Sequence, residues 1–301
     1  MNLAKFSGLA ILIPTLVGCG GSDSAPTTVI TKDNLLAVAG EGFLDANSVV
    51  HAWIHPINDA FAPMTTPCTD GGTTLVDDLS HPPAFDVTTT YQQCAQNDTT
   101  TDGKSHIVVG QVNMKSNKVT TLNLTVTSPD FSIVETGEWT TEGDPPFQDA
   151  TSKNISSDGI SITLSSAAAT DKLALSNVVI SDVFDAFGNS LLTDSYTVES
   201  TRLGGRFRVE TETTLVTALQ KDFHPESGQL TILGAKGAKL VVTVLGSDTF
   251  RPPLDQGQLK LELDAGDGAA PVTVFASWND LETASDGLEF IPGLSPTGDP
   301  Q

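Results

Sequence analysis

Two histidines near the end of a predicted helix have the spacing of a metal-binding pair. His51 and His55 lie four residues apart, so on a helix both rings would face the same side. A zinc protease with this motif also needs a glutamate directly after the first histidine, and Ala52 occupies that position. Pro56 follows at once and ends the helix. The pattern therefore favours two histidines beside Trp53 at a helix exit over a metal site.

Two aspartate-rich stretches, residues 98–103 and 264–268, partly match calcium-binding loops. Calcium binds six to eight oxygen atoms, and the EF-hand loop supplies them from alternate positions that end in a glutamate. Neither stretch has that spacing or a glutamate at the required distance. We therefore interpret both as hairpin turns and predict no metal site in the chain.

The sequence contains no pattern typical of nucleophilic catalysis or of phosphate binding. The motifs Gly-x-Ser-x-Gly and Ser-x-x-Lys are absent, and so are a glycine-rich phosphate loop and a dinucleotide fingerprint. Glu142 and Asp144 would make a carboxylate pair, but a chain with 37 acidic residues contains many such pairs by chance. We predict no catalytic residue and no cofactor, although a hydrolase stays an open alternative.

The first twenty residues have the composition of an export signal. Lys5 precedes an apolar run at residues 9–13, and residues 16–19 read Leu-Val-Gly-Cys. The run is shorter than the roughly 20 apolar residues of a membrane-spanning helix. This stretch resembles the signal and lipobox of bacterial lipoproteins, which implies removal of residues 1–18 and lipidation of Cys19. The resemblance also implies the outer membrane, on either face, because Gly20 stands where an aspartate would favour the inner membrane.

The remaining two cysteines form an even pair. If Cys19 carries lipid in an oxidising compartment, Cys68 and Cys94 are left to form a disulfide. That bond would close a loop of about 25 residues and stabilise the fold by about 3 kcal/mol in the chain-entropy model. A metal site is the alternative, but it needs two further ligands, and neither cysteine belongs to a Cys-x-x-Cys motif. We favour the disulfide.

The charge of the chain excludes some partners. It has 15 basic and 37 acidic residues, for a net charge of −22. Nucleic acid and anionic lipid headgroups both require basic surfaces. We therefore expect no nucleic-acid partner, and attachment to the membrane only through the lipid on Cys19.

The residues after Cys19 predict a tether and then a helix. Residues 19–30 are rich in glycine, serine, proline and threonine and read as a flexible tether. Residues 31–34 offer capping groups, and an amphipathic helix over 33–50 is predicted despite two glycines. Its apolar residues recur every three or four positions: Leu35, Ala39, Phe43, Ala46 and Val50.

From about residue 73 the apolar period changes from that of a helix to that of a strand. Arg206–Glu212 is typical, since Phe207 and Val209 alternate with charged residues. Short turn signals separate such segments: Asp102-Gly103, Asn117-Lys118, Asp158-Gly159, Gly188-Asn189, Gly204-Gly205, Lys236-Gly237 and Asp267-Gly268. Connections this short favour pairing between sequential strands.

The predicted fold class is therefore mainly β. We expect about ten to twelve strands in one large antiparallel meander with one N-terminal helix. The meander could form an open barrel or clam, a closed barrel, or a sandwich. The meander belongs to a single domain over residues 31–285. Within it, residues 141–153 read as a long loop, and residues 286–301 as a loose tail.

Residues 228–240, with Leu261–Asp264 and Trp278, carry a second resemblance. They resemble the C-terminal strands of uncharacterised β-rich lipoproteins from Gram-negative bacteria. Those proteins also share a lipobox, an early helix, and a cysteine pair with two glycines after the first cysteine, here Gly71 and Gly72. The resemblance implies no activity and no catalytic residue.

Two functional hypotheses follow. In the first, the chain is a lipid-anchored envelope protein with a structural or protein-interaction role. In the second, it is a carrier whose concave sheet face holds a lipid, an acyl chain or a peptide. The alternative for that face is a core filled by the chain's own apolar side chains.

Overall fold

The computed structural model describes residues 25–46, 65–79, 85–96, 98–112, 115–143, 152–166, 170–186, 189–217, 224–246 and 258–285. The signal, most of the tether, residues 47–50 of the predicted helix, most of the predicted loop at 141–153 and the tail after Ser285 lie outside these residues.

Within the described residues, fourteen strands form one antiparallel sheet in which every strand pairs with its neighbours in sequence. The sheet is a continuous meander that does not close, rather than the two sheets of a sandwich. The strands are β1 Thr65–Pro67, β2 Gly71–Asp78, β3 Phe85–Gln96, β4 Thr99–Val112, β5 Lys115–Thr127, β6 Phe131–Gly143, β7 Ser152–Ser166, β8 Thr170–Phe184, β9 Ser190–Ser200, β10 Gly205–Thr217, β11 Ser227–Leu233, β12 Lys239–Val244, β13 Leu259–Asp264 and β14 Val272–Ala276.

The alternation read from the sequence sets the two faces of this sheet. In β13, Leu259, Leu261 and Leu263 are buried, whereas Lys260 and Glu262 between them are partly exposed. The same alternation of buried and exposed residues continues from β5 to β13, so one face of the sheet carries the apolar core. We call this the inner face and the opposite one the outer face. The predicted fold class is confirmed.

Three predicted turns are instead interior to long strands. Asn117-Lys118 lies in β5 and pairs with Gly110 and Val109, and Asp158-Gly159 lies in β7. Asp102-Gly103 lies in β4, where Gly103 has a φ of +116° and an added Cβ would clash with the carbonyl of Asn123. The turn prediction was wrong at these three sites. Asp102-Gly103 and Asp158-Gly159 lie beside register shifts, where residues typical of turns also occur within long strands. Asn117-Lys118 lies in a regularly paired part of the ladder.

The predicted N-terminal helix is confirmed over residues 35–46. Helix α1 spans Leu35–Gly40 and continues as a π-helical turn over Glu41–Asp45. It begins two residues later than predicted because Asn34 accepts hydrogen bonds from Thr31 rather than capping the helix. The π-helical turn is buried at all five positions, including both acidic ones. The segment therefore lies within the core and not on its surface.

A second helix, α2, spans Trp278–Ala284 and was not predicted. A capping box starts it, in which the hydroxyl of Ser277 accepts from the backbone N–H of Asp280 at 3.1 Å and the Asp280 carboxylate accepts from Ser277 N–H at 2.7 Å. The Trp278 ring lies 5.5 Å from the Phe43 ring and stacks on His224 at 4.6 Å. Helix α2 therefore packs against residues 35–46, which we call the helical segment.

Two glycines let the helical segment approach its neighbours closely. A Cβ on Gly40 would lie 2.8 Å from the carbonyl oxygen of Leu281 in α2. A Cβ on Gly42 would lie 3.1 Å from both Ile232 Cδ1 and Phe207 Cε2 on the inner face. Alanine is the better helix former by about 1 kcal/mol, so packing and not propensity accounts for these glycines.

We predict that Gly40→Ala lowers the free energy of unfolding by about 1–3 kcal/mol, because its methyl group meets a backbone carbonyl that cannot move alone. Urea unfolding followed by tryptophan fluorescence measures the loss. Gly110→Ala in β4 is the matched control, since nothing lies within 4 Å of its added Cβ, and it should leave stability nearly unchanged. Equal stability of the two variants would contradict the packing argument.

Candidate functional site

The predicted cysteine pair comes together at one end of the sheet. Cys68, in the turn between β1 and β2, and Cys94 in β3 lie at disulfide distance, with their Cα atoms 5.3 Å apart. Gly72, after the first cysteine, has a φ of +79°, and an added Cβ would clash with the carbonyl of Gln93. The predicted pairing is confirmed. Cys19, the predicted lipidation site, lies outside the described residues, as do His51 and His55.

The two aspartate-rich stretches use their carboxylates locally. Asp264 Oδ1 accepts from the N–H of Gly266 at 2.9 Å, and Asp267 Oδ1 accepts from the N–H of Ala269 at 2.9 Å, in the hairpin between β13 and β14. Asp102 Oδ1 accepts from the N–H of Gln93 at 2.8 Å. These bonds hold the backbone in turns and bulges, as the sequence predicted for the hairpin at 264–268.

An arginine joins the helical segment to α2. Arg202 lies in the turn between β9 and β10, and its Nε is 2.5 Å from Oε1 of Glu41, whose side chain is fully buried. The same guanidinium donates through Nη1 to the carbonyl of Ala284 at the end of α2, at 2.8 Å. A buried carboxylate is costly unless it is paired, so Arg202 is what allows Glu41 to lie in the core.

A buried tyrosine holds the same segment to the sheet. Tyr196 in β9 is 1% exposed, and its hydroxyl donates to the carbonyl of Gly42 at 2.7 Å. Burial and the nearby Asp194 raise the Tyr196 pKa well above its usual range, so the hydroxyl keeps the proton that it donates. The π-helical turn leaves backbone carbonyls without their ordinary partners, and this bond satisfies one of them.

Two further carboxyl groups face the core. Asp194 lies on the same face of β9 as Tyr196 and Val198, and it is 4% exposed. Neither of its carboxylate oxygens has a hydrogen-bond partner in the described part of the chain. Burial, and then the nearby Asp182 of β8, raise the Asp194 pKa to about 7. Glu135 lies on the same face of β6 as Ile133, and burial raises the Glu135 pKa to about 7.

Sequence reasoning did not single out Asp194 or Glu135, although a signal existed. Each occupies a position at which the two-residue alternation calls for an apolar side chain. A charged residue on the core-facing side of a strand is rare unless it is paired or functional. The inner face around Asp194 is therefore the candidate site.

No family model, no curated protein and no solved structure matches this chain. Among the helices in the described ranges, none is long and apolar enough to cross a membrane.

We predict that Arg202→Met lowers the free energy of unfolding by about 3 kcal/mol, because it leaves the buried Glu41 carboxylate unpaired. Adding Glu41→Gln should recover part of the loss in a double-mutant cycle measured by urea unfolding. The control is Lys260→Met, which removes a partly exposed 2.9 Å pair with Glu262 and should cost less than about 1 kcal/mol. Similar losses for the two single variants would refute the role given to Arg202.

We predict that stability in EDTA-containing buffer falls as the pH rises from about 4 to 7. The native state keeps protons on Asp194 and Glu135 up to about pH 7, whereas the unfolded chain releases them near pH 4. The native state thus binds more protons in this window, and each group lowers stability by ~1 kcal/mol per pH unit.

Unfolding midpoints at pH 5, 6, 7 and 8 measure this slope. Asp194→Asn should flatten it and raise stability at pH 8. Asp264→Asn, which alters an exposed turn carboxylate, should keep the wild-type slope. A stability that rises from pH 5 to pH 7 in wild type would contradict the prediction.

Proposed function

We propose that the chain is a lipid-anchored protein of a bacterial cell envelope with a non-catalytic role in protein interaction. The Leu-Val-Gly-Cys sequence ending at Cys19 supports the anchor, since it follows directly after the apolar run of an export signal. The bond between Cys68 and Cys94 is in keeping with the oxidising compartment that this address implies.

The observation that carries the interaction role is the filling of the inner face over β9 to β11 by the chain's own helical segment. Gly42 packs against Phe207 and Ile232 so closely that a methyl group would not fit without movement. The hydroxyl of Tyr196 fixes the same residue in place. A carrier would have to displace this segment over β9 to β11 before an acyl chain could bind there. The filled face therefore favours interaction over carriage.

The outer face is the surface that a partner would contact. Its strands present hydroxyl groups that bond across the ladder, such as Thr136 Oγ1 to Ser161 Oγ at 2.9 Å and Thr121 Oγ1 to Glu138 Oε2 at 3.0 Å. Val134 and Val179 interrupt this polar face, with exposed fractions of 36% and 59%. Interfaces between proteins that also exist apart have this mixed character.

The anchor is tested by Cys19→Ala. Mass spectrometry of the purified protein should find an acylated N-terminal Cys19 and no residues 1–18 in wild type, which should fractionate with membranes. The variant should lack acyl groups and leave the membrane fraction. An unmodified Cys19 in the mature wild-type protein would refute the anchor while leaving the interaction role to its own test.

The interaction role is tested by photocrosslinking in the producing cells. A photoreactive residue at Val179 on the outer face should give one discrete adduct, which disappears with Cys19→Ala. The same residue at the exposed Lys236, in the turn between β11 and β12, is the control and should give none. A co-purified lipid in native mass spectrometry, with no adduct from Val179, would support the carrier instead.

A further inference from the structure

Residues 27–30 are bound to one end of the sheet before the helical segment begins. The N–H groups of Thr27 and Thr28 donate to the carbonyl of Arg206 in β10 at 2.8 and 2.9 Å, and the Thr27 hydroxyl accepts from the N–H of Arg206 at 2.9 Å. The Thr28 carbonyl accepts from the N–H of Ala235, in the turn between β11 and β12, at 2.7 Å. We call residues 27–30 the clamp, because these bonds hold them to two neighbouring hairpins.

Close packing also holds the clamp. A Cβ on Gly205 would lie 2.8 Å from Oγ1 of Thr27, and a Cβ on Gly234 would lie 2.6 Å from Cγ1 of Ile30. Ile30 and Thr28 are each 1% exposed. A segment with buried side chains and several backbone hydrogen bonds is fixed to its domain and does not act as a flexible linker. A free tether from Cys19 therefore ends before residue 27.

The clamp marks one of the two ends of the sheet. Because each strand pairs antiparallel with the next, the connections that follow odd-numbered strands all lie at the same end. The clamp binds the start of β10 and the turn after β11, so it lies at this end, together with the β13–β14 hairpin. We call it the clamp end. The connections after β8 and β12 lie at the opposite, far end.

Covalent geometry limits how far the clamp end lies from Cys19. Residues 20–26 separate Cys19 from Thr27, and a fully extended chain spans at most ~3.6 Å per residue, so the tether reaches roughly 29 Å. Strand β8 has 15 residues, and at ~3.3 Å per residue it is about 45 Å long. An acylated Cys19 in the bilayer is therefore too close to the clamp end for the domain to stand with its far end on the membrane.

Charge opposes an orientation in which the domain lies flat on the membrane. Near the clamp, basic and acidic residues are equal in number: Lys32, Arg206 and Lys236, against Asp33, Asp264 and Asp267. The chain as a whole has a net charge of −22, so the excess negative charge lies away from the clamp. Anionic lipid headgroups repel that charge and turn the rest of the domain away from the surface.

We propose that the clamp end faces the surface of the membrane that holds the acyl chains, with strand β8 rising away from it. This orientation rests on the lipid anchor of the proposed function and adds where a partner lies. Val179 is nine residues from Thr170 at the clamp end of β8, and thus about 30 Å along the strand. A protein that extends from the same membrane reaches this part of the outer face from the side, at the high effective concentration that a shared surface gives.

The test is energy transfer to the membrane surface, with the full acylated chain in vesicles of phosphatidylethanolamine and phosphatidylglycerol. The vesicles contain a trace of lipid with an acceptor dye on its headgroup. A donor dye is attached through Ala270→Cys in the β13–β14 hairpin, or through Val183→Cys near the far end of β8. Cys68 and Cys94 are bonded to each other, so the dye reaches only the introduced cysteine.

We expect the transfer efficiency from Ala270→Cys to be at least about twofold that from Val183→Cys, which lies about 40 Å along β8 from the clamp end. Leu245→Cys, at a position that is 54% exposed after β12, is a second far-end site in case Val183→Cys impairs folding. A long glycine-serine linker inserted after Gly21 frees the orientation and should bring the two efficiencies toward equality.

The outcomes separate the orientation from the anchor. Adding Cys19→Ala to each labelled chain is the control and should abolish transfer from both sites. An unacylated Cys19 in the wild-type protein, shown by mass spectrometry, would refute the anchor. Acylated protein with equal transfer from the two sites, or with more from the far-end site, would overturn the orientation and leave the anchor standing.

Discussion

The close packing of the Gly40–Gly42 segment against the sheet is the contact on which the rest of the structure depends. A meander of fourteen strands has one apolar face, which must be covered because no second sheet packs on it in the described part of the chain. Residues 35–46 provide that cover over β9 to β11, together with α2. Glycine at two positions allows the backbone to approach where a larger residue would hold it away.

This packing also explains the polar contacts around it. A π-helical turn in the core brings its carbonyls and the Glu41 carboxylate out of water, and each unpaired group would cost free energy. Tyr196 and Arg202 offset that cost, and both come from β9 or the turn that follows it. One short stretch of chain thus binds the Gly42 carbonyl and the Glu41 carboxylate and joins the helical segment to both the sheet and α2.

The sequence was sufficient for the features that depend on local alternation. The β class, the sequential pairing and the early helix followed from the period of apolar residues, and the cysteine pair followed from counting. The extent of the strands did not, because Asp102-Gly103 and Asp158-Gly159 have the composition of turns yet lie within long strands. Helix α2 was missed because its seven residues are too short to show a period, although Ser277 and Asp280 form a capping box. The burial of Glu41 could not be predicted, since Arg202 lies 161 residues away in sequence.

The two faces of the sheet therefore have different freedom to carry function. Side chains of the inner face around β9 to β13 are constrained by the helical segment, so a change there alters stability before it alters binding. Outer-face residues such as Thr121 and Val179 contact no covering element in the described residues and can vary to suit a partner. Asp194 and Glu135 are exceptions on the inner face, because an apolar residue would pack at either position at lower cost. A buried carboxyl group at such a position lowers stability at neutral pH without improving the packing.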